Sequence, residues 1–247
     1  MSLSILINHA PGRGTAMLDD MLAELSPWPM HVHDTAYPGT FLERKIPWAL
    51  TQWRWAASQP TTHHLFLDDD VRLCPRFLDV LSAMMQAPGD VPAIGLLSNH
   101  PRAPALAAEG HRFYRTSNWL VGPAYVLRHD VMVDLLAWYE ALPLGAEGEE
   151  GTKGRNHDGC INYFLSTHGH TTLHTLPGLI EHDPENMGST NATHGHGDQY
   201  SRERISWRGV KAPGGGLIAP VGYDPPSMCR AAWWDTGHEP DLLPVSE

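Results

Sequence analysis

Short apolar runs alternating with segments of helical periodicity predict an α/β chain, with a mostly parallel central sheet flanked by helices. Three observations carry that reading. The runs LSILIN, MHVHDT and HHLFLD recur through the first third of the chain. Each is followed by a stretch whose apolar residues fall on one helical face. At 247 residues and 42% hydrophobic content, the chain is also long enough to bury a sizeable core, with no low-complexity majority.

The elements follow in order. LSILIN, a strand, empties into HAPGRG, and TAMLDDMLAEL then places Met17, Leu18, Met21, Leu22 and Leu25 at helical spacing. MHVHDT reads as a second strand. FLERKIPWALTQWRWAAS reads as a helix with Ile46, Leu50, Trp53 and Ala57 on one face, starting near Pro47 because an interior proline lacks the N–H the helix needs. HHLFLD is a third strand, PRFLDVLSAMMQ a third helix and AIGLL a further strand. NWLVGPAYVLRHDVMVDLLAWYEAL gives a strand through Gly122 and Pro123, then a helix with Val131, Leu135, Trp138 and Leu142 inward. GAEGEEGTKGRN, from Gly145 to Asn156, has the composition of a mobile loop. HDGCINYFLSTHG reads as a helix, and TTLHTL and GLIEHD as short strands. From Arg208 the chain is rich in Gly and Pro and is expected to be irregular. The division is therefore one domain over 1–207 and an extension over 208–247 packed on or over it. In sheets of this kind ligands bind at the carboxyl ends of the strands, where the loops after Asn8, after Thr35 and at Asp68 to Asp70 should meet.

Composition narrows the function. A formal charge of -11, from 17 Lys+Arg against 28 Asp+Glu, argues against a protein whose main task is gripping nucleic-acid phosphates, although it leaves room for a local basic groove. The N-terminal MSLSILINHAPGRG has neither a charged n-region nor a long apolar h-region, and no apolar run is long enough to span a bilayer. The expectation is a cytoplasmic protein without membrane insertion. Cys74, Cys160 and Cys229 are odd in number and widely spaced, which suggests neither a disulfide framework nor a cysteine metal site.

The stretch THHLFLDDDVRL poses the chemical question. Asp68, Asp69 and Asp70 repel one another at the end of an apolar strand, and each loses hydration if the fold covers it. A hard divalent cation answers this: it takes oxygen ligands fixed by a rigid strand, and it supplies the positive charge an acidic protein needs for a phosphate-bearing substrate. The plainer alternative is that Asp68 caps the strand, Asp69 is solvated, and Asp70 caps a turn or faces a nearby cation.

Four blocks, in order, resemble nucleotide-sugar-dependent glycosyltransferases of the GT-A fold. GTFLERKIPWALTQWRWAASQPTTHHLFLDDDVRLCPRFLDVL resembles the donor-site half, with Asp68 and Asp70 as the two ends of the D-x-D motif. NWLVGPAYVLRHDVMVDLL resembles the segment that brings a glycine and an aromatic beside the sugar, NHDGCINYFL the helix start that presents an acid to the acceptor, and LPGLIEHDPENMGST the element whose histidine joins the metal. The resemblance spans 2–206 and implies a Mn²⁺ or Mg²⁺ ion as cofactor and a nucleotide-sugar as donor substrate. It implies that Asp70 binds the metal, that Asp68 holds the ribose or a metal-bound water, and that His182 completes the protein ligands. Asp158 becomes the candidate base that takes the proton of the acceptor hydroxyl, which would make the reaction inverting. Asp158 in a first helical turn is equally what the helix dipole favours. Arg13, Arg44 and Lys45 are candidates for the nucleotide and its diphosphate, Asn186 and Ser189 for the phosphate site, and Trp119, Gly122 and Tyr125 for the sugar or acceptor. Turns, helix solubility and core packing are the plainer roles for these residues.

Two other functions stay open at this stage. His31 and His33, His63 and His64, and His194 and His196 are ligand-like pairs that could build a metal-dependent hydrolase if they converged with the aspartates. A binding module of the same fold, holding sugar nucleotide or glycan without turnover, is the third. The acceptor is open among a glycan, a small molecule and a hydroxylated nucleobase of DNA, and the oligomeric state is not encoded legibly.

Overall fold

The computed structural model describes residues 2–10, 15–26, 28–34, 36–37, 41–86, 91–98, 100, 102–117, 123–142 and 157–182, with short strands at 204–206, 209–211, 217–219 and 241–242; for 41–46, 157, 182 and those four strands only the backbone is described. In chain order the elements are β1 (Leu3–Asn8), α1 (Ala16–Leu25), β2 (Met30–His33), α2 (Phe41–Ser58), β3 (His63–Asp68), β4 (Val71–Leu73), α3 (Phe77–Met85), β5 (Ala93–Gly95), α4 (Ala103–Ala108), β6 (Phe113–Thr116) and β7 (Ala124–Arg128). They continue with α5 (His129–Glu140), α6 (His157–Thr167), β8 (Thr172–Thr175), β9 (Ile180–His182), β10 (Arg204–Ser206), β11 (Gly209–Lys211), β12 (Leu217–Ala219) and β13 (Asp241–Leu242). The loop from Gly145 to Asn156 lies outside the described residues. So does most of the chain after Arg208, within which β11, β12 and β13 are strands.

The main sheet runs β13-β6-β8-β5-β7-β3-β1-β2. It is a mostly parallel, helix-flanked sheet: β1 pairs in parallel with both β2 and β3, β5 with β8 and β13 with β6, while β7 and β6 run against their neighbours β3, β5 and β8. β1 and β3 bury apolar residues on both faces because both faces are covered. On one face Ile5, Ile7, Leu65, Leu67 and Val126 pack with Leu18, Met21 and Leu25 of α1 and Phe77, Val80, Leu81 and Met84 of α3. On the other, Leu6, Phe66, Tyr125 and Leu127 pack with α2, α5 and α6 through Trp53, Met132, Leu135, Ile161 and Phe164.

Two helix expectations are corrected. α2 begins at Phe41, six residues before Pro47, so the proline sits inside it and the helix forgoes one backbone bond there. Its sheet-facing stripe is Ala49, Gln52, Trp53 and Ala56 rather than Leu50, Trp53 and Ala57. Small residues around Trp53 let the helix approach, and the half-buried Trp48 and Trp55 flank it against the histidines of β2, with the Trp55 ring 5.1 Å from that of His31. In α5, Val131, Met132 and Leu135 are buried and Trp138 is half-buried, while Leu142, expected on its inner face, lies two residues past its end and is half-buried.

His174 of β8 is fully buried. Its ring lies parallel to that of Tyr114, with centroids 4.8 Å apart, and its Nε2 is 3.1 Å from the Thr116 hydroxyl. The partner of His174 in register is Gly95, where any Cβ would collide with the imidazole. Burial lowers the His174 pKa from 6.5 to about 3; His100 reinforces the shift and the Leu97 backbone opposes it. A histidine held neutral by the fold contributes stability that is complete above its unfolded pKa and is lost as pH falls toward the folded one. Lowering the pH from 7 to 4 is therefore expected to cost about 3 kcal/mol through His174 alone. Urea denaturation across that range, with His174 followed by NMR, checks this; a flat profile would remove the assignment.

Candidate active site

The site forms where β2, β1 and β3 end together. The register sets Asn8 beside His33 on one side and Asp68 on the other, so the three form a row across adjacent parallel strands. The loops expected to meet here after Asn8 and at Asp68 to Asp70 do meet; Thr35 lies outside the described residues. Asn8 Nδ2 donates to Asp68 Oδ1 at 2.9 Å, and the Asp68 amide donates to the Pro123 carbonyl at 2.8 Å, which fastens the end of β3 to the chain entering β7.

Asp69 is 1% exposed, so the alternative that it is solvated is corrected. Its Oδ2 accepts from His9 Nδ1–H at 2.7 Å and from the Ala10 amide at 2.9 Å, while its own amide donates to the Asn8 carbonyl at 3.0 Å. A carboxylate oxygen can only accept, so Nδ1 of His9 carries a proton. The middle carboxylate is thus a clamp on the first residues leaving β1. Asp70, 4% exposed, occupies the turn into β4.

β4 pairs antiparallel with β9, which sets the backbone of His182 opposite Val71, the residue after Asp70. The amide of Cys74 donates to the Leu179 carbonyl at 2.9 Å and extends the ribbon. Asp158 lies in the first turn of α6 and is half-buried. α6 returns through Gly169 to β8, which runs parallel to β5 and therefore to β3, so the start of α6 lies at the carboxyl edge. Electrostatics agree with this placement. Tyr125, 1% exposed and stacked on Phe66 at 4.7 Å, has its hydroxyl pKa held well above the ordinary value, by burial first and then by the charges of Asp158 and Asp68, with Trp53 acting in the opposite sense. One buried hydroxyl thus feels both acids.

Among the expected residues, Asp68, Asp70, Asp158 and Tyr125 are described with their side chains, and His182, Arg44 and Lys45 by backbone alone. Arg13, Trp119, Gly122, Asn186 and Ser189 lie outside the described residues. Sequence reasoning missed Asn8 and His9 as partners of the aspartates. Their signal was position: they are the first polar residues after an apolar strand expected to lie beside Asp68.

Among the described residues no three His, Cys, Asp or Glu side chains form a metal cluster, a set that does not include His182. The histidine pairs of β2 and β3 do not converge. His33 is level with Asn8 and His63 with Leu3, which separates them by about 16 Å along the sheet at ~3.3 Å per residue. His64 instead belongs to a buried network at the amino end, with Nδ1 2.7 Å from the Ser4 hydroxyl and Nε2 2.9 Å from His129 Nδ1. His194 and His196 lie outside the described residues. Cys74 and Cys160 are buried thiols, and no helix among the described residues is long and apolar enough to cross a membrane.

No protein-family model and no curated protein matches the chain. Among solved structures it is similar to a glycosyltransferase involved in the glycosylation of the major capsid of PBCV-1, at 15% identity and a TM-score of 0.34, over 58% of this chain and 68% of that one. It is also similar to A197 from STIV, at 15% identity and a TM-score of 0.40, over 90% of this chain and 96% of that one.

Proposed function

We propose that the chain is a GT-A-type glycosyltransferase of the D-x-D class, moving a sugar from a nucleotide-sugar to a hydroxyl acceptor with inversion. The observation that supports it is the meeting at one sheet edge of Asp68, Asp70 and the start of α6 bearing Asp158, with the His182 backbone set across from Val71. Hard carboxylate oxygens joined by an imidazole suit Mn²⁺ or Mg²⁺. Asp70 and His182 would hold such an ion, and Asp68 the ribose or a water on the ion. When bound, the ion would offset the charge gathering on the departing diphosphate.

The rest of the chemistry belongs to the chain. Asp158 takes the proton of the acceptor hydroxyl as its oxygen bonds to the anomeric carbon, and the bond from that carbon to the phosphate oxygen breaks, the nucleoside diphosphate leaving with the electron pair. Arg13, Arg44, Lys45, Asn186 and Ser189 are assigned to the nucleotide and its phosphates, and Trp119 and Gly122 to the sugar. Tyr125, packed on Phe66, backs the site from the core. The acceptor is a glycan, a small molecule or a hydroxylated nucleobase of DNA, and the setting is cytoplasmic.

The test is a panel of sugar nucleotides incubated with the protein and Mn²⁺. Release of nucleoside diphosphate from at least one donor, abolished by chelation, is expected. Release from none would sink the reading, and donor binding without release would point to the non-catalytic module.

A further inference from the structure

We infer that Asn8 is a positioning residue for Asp68, fixing the plane of that carboxylate without cancelling its charge. The inference rests on the glycosyltransferase reading for its functional meaning, but its geometric basis stands apart. Asn8 is 6% exposed and lies between His33 and Asp68 in the row that ends β2, β1 and β3. Its Nδ2–H reaches Asp68 Oδ1 at 2.9 Å. The amide has one acceptable orientation, because turning it over would set its oxygen against the carboxylate, acceptor facing acceptor. In that orientation Asn8 Oδ1 is buried and has no hydrogen-bond partner among the described residues. An unmet buried acceptor destabilises a fold, and leucine, which shares the branched outline of asparagine, would carry none. Retaining asparagine therefore needs a reason, and the carboxylate beside it supplies one.

The residue type matters as much as the bond. Lysine or arginine at position 8 would orient Asp68 more strongly but would neutralise it and repel a cation. A neutral amide holds one oxygen without itself neutralising the carboxylate, which suits a carboxylate that is to meet an ion or a sugar hydroxyl at a fixed angle. Asp69 strengthens the device from the backbone side: with the His9 imidazole and the Ala10 amide on its Oδ2, and its own amide on the Asn8 carbonyl, it prevents the end of β1 from sliding relative to β3.

The test is Asn8→Leu, with Asn8→Ala as the second variant should the first not fold. Two measurements are made on each. Crystal structures grown without added metal are expected to show the Asp68 carboxylate rotated, or divided between rotamers, relative to the parent; an unchanged single orientation in the variant overturns the inference. Mn²⁺ affinity, read from the free-ion paramagnetic resonance signal, is expected to fall about tenfold or more, the size of a lost hydrogen bond to a charged group. The melting temperature is expected to change little, the relief at Asn8 Oδ1 offsetting the lost donor to Asp68 Oδ1. A purely structural Asn8 would instead lower stability and leave the affinity of the folded fraction unchanged, and that result also overturns it. Failure of the parent to bind Mn²⁺ would count against the metal reading alone, with the Asp68 rotamer then deciding the inference.

Discussion

Asp70→Ala is expected to abolish metal-dependent donor turnover while the protein still folds. Asp70 is buried at the turn between β3 and β4, on the strand end where Asp68 and Asp69 are already engaged by Asn8, His9 and Ala10. Asp70 is the carboxylate proposed to grip the ion, and Asp68 and Asp69, held in place by those partners, would not move to replace a lost hard ligand. Mn²⁺ affinity should fall by about 10²-fold or more. Removing one of three adjacent like charges relieves repulsion in the turn, which offsets part of the cost of losing a buried side chain. His182→Ala should behave alike, because its register with Val71 brings it to the same turn. Mn²⁺ binding, turnover and melting are to be followed on one preparation of each variant. Normal binding with normal activity in either would cancel that ligand assignment.

The second large effect belongs to Asp158→Asn. This change preserves shape and one acceptor oxygen but removes the ability to take a proton, so transfer should drop by about 10²-fold to 10⁴-fold while nucleoside diphosphate still binds. If Asp158 served only the first turn of α6, the same change would cost well under about 1 kcal/mol and leave transfer nearly untouched. The start of α6 lies close enough to the end of β3 for Asp158 and Asp68 both to act on the buried Tyr125 hydroxyl. Transfer at the parental rate would remove Asp158 from the mechanism and the inverting assignment with it.

What could be read in advance followed from the physics of each segment. β1 and β3 were legible because both are continuous apolar runs that stop abruptly at polar residues, and that same stop located Asp68. The carboxyl edge as a meeting place followed from the alternation of elements. β4 and β9 escaped as a pair because three-residue strands carry no periodicity; only their partner across the chain defines them. α4 and β6 lie in a stretch broken by proline and glycine, where no window is long enough to show a pattern. The inner face of α2 differs because hydrophobicity alone favours Leu50 beside Trp53, whereas the close approach of helix to sheet selects Ala49 and Ala56 on either side of that tryptophan. Asp69 was misjudged for a related reason. Burial of a charge depends on partners, and those of Asp69 come from a strand about sixty residues earlier in the chain.

The β4–β9 ribbon has a consequence for how the protein comes into being. Val71 and His182 are over a hundred residues apart, with the elements from α3 to β8 between them. Closing so long a loop carries an entropic cost that is repaid only when the intervening layers are packed. A growing chain can therefore assemble β1, β2 and β3 early, with their row of polar ends, and still lack a complete centre until the segment around β9 emerges. A half-made molecule displays the acidic turn but cannot close it. If the proposed ligand set holds, with His182 supplied by β9, cation affinity would be acquired only once β9 is paired with β4.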